Sequence, residues 1–241
     1  MSKNKIKDPL AEVTEEEETQ IAQVQSTEVV NMGSQIAMPA TAFNDAEGEF
    51  DADDLRTQYL SLVAKTADLA DTFGAGSFVL NKEVKIGNGK DPADITILSI
   101  KKHFEELVPF GEDITPRIFD KKEDATAAGY SVHWEAKQRV GPVLTCRILL
   151  EVPEGFGMST FEDKEYAEAT WVLQKTAYKS AALDVIKARS KGHLKDGLWK
   201  GGWGLTSSLK TGGNGSWYVP VLKKDARHTD EFVKWVETEI L

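Results

Sequence analysis

Residues 187–224 combine cationic and aromatic side chains in a pattern that could bind nucleic acid. This segment has eight Lys or Arg residues and one acid, Asp196, so its formal charge is +7, and three of the six tryptophans of the chain lie in one 19-residue stretch within it. Cations attract phosphates through counterion release, and flat rings stack on unpaired bases. The pattern predicts a surface for single-stranded nucleic acid. Its candidate contact residues are Lys187, Arg189, Lys191, Lys195, Trp199, Lys200, Trp203, Lys210 and Tyr218.

A structural role competes with this interpretation, because tryptophans also fill cores while lysines cover the solvated face of a hairpin. Along residues 216–222, alternation predicts three inward-facing side chains, Trp217, Val219 and Val221. Tyr218 and Leu222 would then face the other side of the strand. Trp199 stands beside Lys200 and two glycines, and we expect it to be the most exposed tryptophan.

The net charge of the 241-residue chain, −10, is concentrated at its N-terminal end. Residues 1–54 hold 13 acids against three lysines, so the remainder of the chain is neutral. Such a composition cannot bury enough apolar surface to offset the entropy of ordering the chain. We therefore expect residues 1–50 to be a disordered acidic arm and residues 51–241 to be one α+β domain. The arm could solubilise the protein, recruit a partner, or compete with nucleic acid for the basic segment.

Several classes of protein are disfavoured by the sequence. No apolar run is long enough to cross a membrane, and the first residues lack the apolar stretch of a secretion signal, so we expect a cytoplasmic protein without membrane partners. The single cysteine, Cys146, cannot form an intrachain disulfide, and we expect it to be buried. The four histidines lie at least 30 residues apart, so we predict no metal site and no cofactor.

A metal-dependent nuclease is the enzymatic alternative. Acid-x-lysine tripeptides, which can hold magnesium and polarise a phosphate, occur on predicted strands at residues 83–85 and 135–137. Similar tripeptides at 120–122 and 162–164 show how readily this composition produces them. The glycines at 74–77 and 87–90 lack the spacing of phosphate-binding loops and indicate turns, and no nucleophile elbow is present. The sequence therefore predicts no catalytic residues.

Periodicity predicts the elements that would position the basic segment. Three hairpins are expected, formed by 77–86 with 95–100, by 129–140 with 143–152, and by 203–209 with 216–222. Four helices are expected: one that begins at Asp53 and runs to about Phe73, a short one at 122–128, a long one at about 162–190, and a C-terminal one at 229–240 with Thr229 as its cap. In the long helix, Trp171, Tyr178 and Val185 recur every seven residues and are expected in the core.

This order of elements, with EDATAAG at 123–129 and SWYVP at 216–220, resembles bacteriophage single-stranded DNA-binding proteins built on an OB-fold. The resemblance covers about residues 75–225. It implies an OB-like antiparallel barrel that binds single-stranded DNA without sequence preference during replication and recombination in the host cytoplasm. It also implies that Trp199, Trp203, Tyr218 and the nearby lysines contact the DNA.

The resemblance is incomplete at the ends of the chain. Many such proteins recruit replication partners through an acidic C-terminal tail with a terminal aromatic residue, whereas here the acidic arm is N-terminal and the chain ends ETEIL. Recruitment of replication or recombination proteins by the arm, and assembly into a homo-oligomer, stay open. A phage structural or scaffold-type protein is the alternative without DNA-binding or catalytic activity.

Overall fold

A computed structural model describes residues 58–109, 114–133, 135–213 and 215–241. The predicted acidic arm at 1–50 and the start of the first predicted helix lie outside these residues. The described part is α+β, as predicted, and its strands pair antiparallel in two sheets. No helix in the described ranges has the length and hydropathy that a membrane span requires.

The large sheet has the strand order β10-β9-β4-β6-β8-β7, with β5 paired to β4, and the small sheet has the order β1-β2-β3. The strands are β1 (Leu60–Leu62), β2 (Phe78–Leu80), β3 (Val84–Gly87), β4 (Ala93–Glu106), β5 (Ile118–Phe119), β6 (Val140–Val152), β7 (Ser159–Phe161), β8 (Lys164–Gln174), β9 (Gly201–Gly212) and β10 (Gly215–Arg227). Among the described strands, β10 and β7 end the large sheet and are not paired with each other. The predicted OB-like antiparallel barrel is not confirmed.

Helices cover both faces of the large sheet. The helices are α1 (Leu69–Phe73), α2 (Lys122–Ala127), a continuous α3 made of Lys175–Ala177, a π-helical turn Tyr178–Ala182 and Leu183–Ser190, and α4, made of Asp230–Trp235 and a π-helical turn Val236–Ile240. A 3₁₀ turn, Leu198–Lys200, precedes β9. The predicted short helix and C-terminal helix are confirmed by α2 and α4.

The main core lies between the large sheet, the small sheet and α3. Alternate residues of β6 from Leu144 to Val152 are buried on this side, as the sequence predicted. Cys146 is among them, and burial raises the pKa of its thiol to about 12. This confirms the prediction that the cysteine is a buried apolar residue.

Helix α4 packs on the opposite face of the large sheet. Its residues Phe232, Val236 and Ile240 form a second buried cluster with Leu98 of β4 and Leu149 of β6. The predicted cap is confirmed, because the Thr229 hydroxyl accepts a hydrogen bond from the Phe232 amide at 3.3 Å. The last two turns of the chain are thus held against the sheet.

The long helix predicted at 162–190 is half wrong. Residues Lys164–Gln174 form strand β8, and α3 begins only at Lys175. In β8 the buried side chains of Ala167, Ala169, Trp171 and Leu173 alternate, which is the period of a strand. Pairing with β6, where Cys146 lies opposite Trp171, overrides the sevenfold spacing of Trp171, Tyr178 and Val185. The predicted burial of these three residues is confirmed.

The first two predicted hairpins and the first predicted helix are also wrong. Residues 77–86 divide into β2 and β3, which pair with each other around a turn where Asn81 and Lys82 have positive φ angles of 51° and 65°. Of the described residues in 129–140, only Val140 belongs to a named strand, as the first residue of β6, and β6 pairs instead with β4 and β8. The described residues of the first predicted helix instead contain strand β1 and the five-residue helix α1. The third hairpin is confirmed by β9 and β10.

Candidate nucleic-acid interface

Hairpin β9-β10, which includes the part of the basic segment from residue 201 to residue 224, lies at the edge of the large sheet. Strand β9 pairs with β4 only from Gly202, opposite Thr96, to Leu205, opposite Ala93, so its second half extends beyond β4. Within the described residues, β10 pairs with β9 alone. The outer edge of β10 therefore has no strand partner there, and its side chains alternate between the two faces of the sheet.

One face of this hairpin joins the main core. Leu222 of β10 lies opposite Leu205 of β9, and Lys224 of β10 lies opposite Trp203 of β9. All four side chains are therefore on the same face of the hairpin. Leu205, Leu222 and Trp203 belong to the main core. Lys224 therefore stands on the core face of β10, at its margin, whereas its neighbour Lys223 stands on the other face.

A groove of about 510 Å³ lies between the end of α3 and this face of the hairpin. It is lined by Asp184, Lys187, Ala188, Lys191, Gly192, His193, Trp203, Leu222 and Lys224. We call it the lysine groove, because it joins Lys187 of α3 and Lys191, the residue after α3, to Lys224 of β10. Trp203 and Leu222, which are 3% and 7% exposed, supply its buried apolar wall.

The lysine groove has an excess of positive charge. The Lys187 ammonium lies 3.4 Å from the Asp184 carboxylate, but among the described side chains Lys191 and Lys224 form no ion pair. The pKa of His193 is lowered, first by desolvation and then by the charges of Lys224 and Arg227, against a smaller opposing effect of Asp196. The charges of Lys224 and Arg227 thus add to desolvation in disfavouring the protonated imidazole.

A network of ion pairs and hydrogen bonds holds the loop that forms one wall of the groove. Arg227 Nη2 donates to the His193 carbonyl oxygen at 2.6 Å and lies 3.3 Å from Asp196 Oδ1. Lys200 Nζ lies 3.6 Å from the other carboxylate oxygen of Asp196. The pKa of Asp196 is lowered by a backbone N–H and then by these two cations. Lys200, a predicted contact residue, is therefore engaged within the protein.

The far end of the hairpin carries a second candidate patch. Trp217 is 36% exposed and lies directly opposite the exposed Lys210, on the face of β10 that points away from the groove. The Trp217 ring also lies over Gly212, where a Cβ would come within 3.0 Å of it. We call Lys210 and Trp217 the hairpin-end pair. The prediction that Trp217 points inward is wrong, because α3 packs on the other face of the hairpin.

Trp199 is not the exposed residue that the sequence predicted. It lies in the 3₁₀ turn, is half-buried, and packs against the cluster under α4. Its Nε1 donates to Glu237 Oε1 of α4 at 3.0 Å. Trp217, and not Trp199, therefore offers the ring that a base could stack on at the hairpin. No local signal in the sequence indicated that α4 would return to cover Trp199.

Three other predicted contact residues are used by the fold. Trp203 is buried and offers no free ring face, so we leave it out of the stacking surface. Arg189 Nη1 donates to the carbonyl oxygen of Lys195, whose own side chain stays exposed. Tyr218 is half-buried, with its ring so close to Gly76 that a Cβ there would lie 2.5 Å from it. Gly76 also has a φ of +83°, which favours glycine.

Six of the nine groove residues were absent from the predicted contact set, among them His193 and Lys224. The i,i+4 spacing of Lys187 and Lys191 is a usable signal, because residues one turn apart lie on the same side of the chain at the C-terminal end of α3. That Lys224 meets them depends on long-range packing of α3 against β10.

The nuclease alternative gains no metal site. In the described ranges, no three His, Cys, Asp or Glu side chains come together as ligands. Glu83 lies in the turn before β3, and Glu135 lies in the loop before β6. Comparisons of the chain with protein-family models, curated proteins and solved structures find no significant match.

Proposed function

We propose that this protein binds single-stranded DNA without sequence preference, along the free edge of β10. The observation that carries the proposal is the lysine groove, where Lys187 of α3, Lys191 at its C-terminal end and Lys224 of β10 line a single cavity with one acid among them. Cations gathered in this way attract the sugar-phosphate backbone, whose charge is the same for every sequence. Affinity should therefore depend steeply on salt and little on base identity.

The hairpin-end pair adds the aromatic half of the proposal. An exposed indole can stack on any unpaired base, and the Lys210 ammonium directly across from it can hold the adjacent phosphate. Duplex DNA keeps its bases stacked on one another, so the indole favours single strands.

The two patches lie on opposite faces of β10, so the DNA joins them in one binding path by passing over the outer edge of the strand. From Trp217 to Lys224 the strand extends about 23 Å, at about 3.3 Å per residue. Single-stranded DNA sites of about 4–16 nucleotides are common in this class of protein. A role in phage replication or recombination is the part of the OB-fold resemblance that we retain as a proposal. The binding path needs the open edge of β10 and does not need a closed barrel.

A fluorescence titration with a 15-nucleotide oligo-dT at 50 and 200 mM salt tests the proposal. We expect binding that weakens with salt, a weaker salt dependence in Lys224→Ala, and no change in Lys223→Ala. The two lysines are adjacent and equally charged, but only Lys224 lines the groove, which makes Lys223 the matched control. Absence of binding at low salt and micromolar protein would disprove the proposal.

A further inference from the structure

We propose that the lysine groove receives the end of a DNA strand that carries a terminal phosphomonoester. This inference rests on the proposed function and adds to it a preference for phosphorylated ends. The groove is a single cavity of about 510 Å³, within the size range of sites that hold one small ligand such as a nucleotide.

The charge of the groove matches a dianion better than a monoanion. Its three lysines face one carboxylate, Asp184, which leaves an excess of two positive charges. An internal phosphodiester carries one negative charge, whereas a phosphomonoester carries about 1.5 to 2 at pH 7. Because Lys187 is paired with Asp184, the ammonium groups of Lys191 and Lys224 are the ones available for the additional charge.

The groove has an apolar wall that contains one unsatisfied polar atom. Trp203 and Leu222 line it and are buried among the residues of the main core. Trp203 Nε1 has no hydrogen-bond partner within the described part of the chain. A buried donor without a partner costs about 1–3 kcal/mol. The wall of the groove thus contains a donor that the fold does not satisfy.

Part of the groove is preorganised. Arg227 fixes the backbone of His193 through its carbonyl oxygen, and Asp184 orients Lys187 from the preceding turn of α3. A ligand therefore meets one stretch of backbone and one ammonium group that the protein already holds, which reduces the entropic cost of ordering them.

The test compares three 15-nucleotide oligo-dT strands, with a 5′-phosphate, with a 3′-phosphate, and with hydroxyl groups at both ends. We expect one phosphorylated strand to bind at least about tenfold more tightly than the hydroxyl strand, and the comparison of 5′ with 3′ identifies which end enters the groove. Free dTMP should displace the preferred strand at concentrations where thymidine does not.

Variants locate the preference. Lys191→Ala and Lys224→Ala should abolish it, whereas Lys179→Ala on the same helix and Lys223→Ala on the same strand should keep it. Lys191→Gln and Lys224→Gln, with circular dichroism, separate loss of charge from loss of folding. Equal binding of all three strands overturns this inference but leaves the proposed function standing, and a preference that survives in the Lys191 and Lys224 variants also overturns it. Binding of no strand at low salt overturns the proposed function itself.

Discussion

The lysine groove and the hairpin-end pair come from the same basic stretch of sequence but are built in different ways. The groove joins α3 to β10 over a wall of core residues, and its loop is held by Arg227. The hairpin-end pair depends on two strands that extend beyond β4, and Trp217 is partly open to solvent. In the proposed binding mode the groove attracts phosphate and the hairpin-end pair adds the ring for stacking, so the two patches can be changed one at a time.

The largest contrast should appear in stability. Trp203→Ala empties space in the core and should lower the free energy of unfolding by about 3–5 kcal/mol. Trp217→Ala removes a partly exposed ring and should lower the free energy of unfolding by only about 0.5 kcal/mol. Urea denaturation followed by circular dichroism measures both. Similar losses in the two variants would mean that the hairpin end is as tightly packed as the groove wall.

Trp217→Ala should separate stacking from charge. We expect the free energy of oligo-dT binding to weaken by about 1–3 kcal/mol, with an unchanged salt slope, because the indole makes no ionic contact. Leu209→Ala is the matched control, since Leu209 is 49% exposed at the same end of the hairpin but has no aromatic ring. A comparable loss in Leu209→Ala would point to general apolar contact instead of stacking.

Deletion of residues 1–50 tests whether the acidic arm competes with DNA. A tethered acidic segment reaches an effective concentration of about millimolar, so its removal should tighten oligo-dT binding several-fold at low salt. At high salt the gain should shrink, because screening weakens both competitors. Unchanged affinity at every salt concentration would leave solubility or partner recruitment as the role of the arm.

Lys210→Ala should reduce the salt slope of oligo-dT binding by about 0.7, the value expected for one phosphate contact on a single strand. Lys85→Ala, an exposed lysine of β3 in the other sheet, serves as the control for net charge. The slope comes from titrations at four or more salt concentrations. If both variants lower it equally, overall charge and not the hairpin-end pair sets the slope.

The smallest effect concerns His193. Its pKa should lie below the usual 6.5, mainly through desolvation, and should rise modestly in Lys224→Ala but not in Lys223→Ala. Because the folded pKa is below the unfolded one, the unfolded state takes up the proton first, and stability falls as the pH drops through about 6.5. Nuclear magnetic resonance titration of the imidazole measures the pKa. A value above 6.5 would contradict the positive field assigned to the groove.

The sequence by itself determined the features that depend on short-range signals. Thr229 caps α4 through a hydrogen bond three residues away, and the glycines between β9 and β10 mark their turn. Alternation along β6 predicted which of its side chains are buried, including Cys146. Each of these signals is contained within a few neighbouring residues, so no knowledge of distant contacts was needed.

Tertiary structure decided the rest, because each remaining choice depends on a partner that is distant in the sequence. Pairing with β6 makes a strand of residues that also fit a helical spacing. Helix α3 packs on one face of β10 and leaves Trp217 exposed on the other face, and helix α4 packs over Trp199. The lysine groove likewise exists only because α3 brings Lys187 and Lys191 to Lys224. The sequence shows which residues are charged or aromatic, whereas long-range packing determines which of their side chains are exposed to solvent.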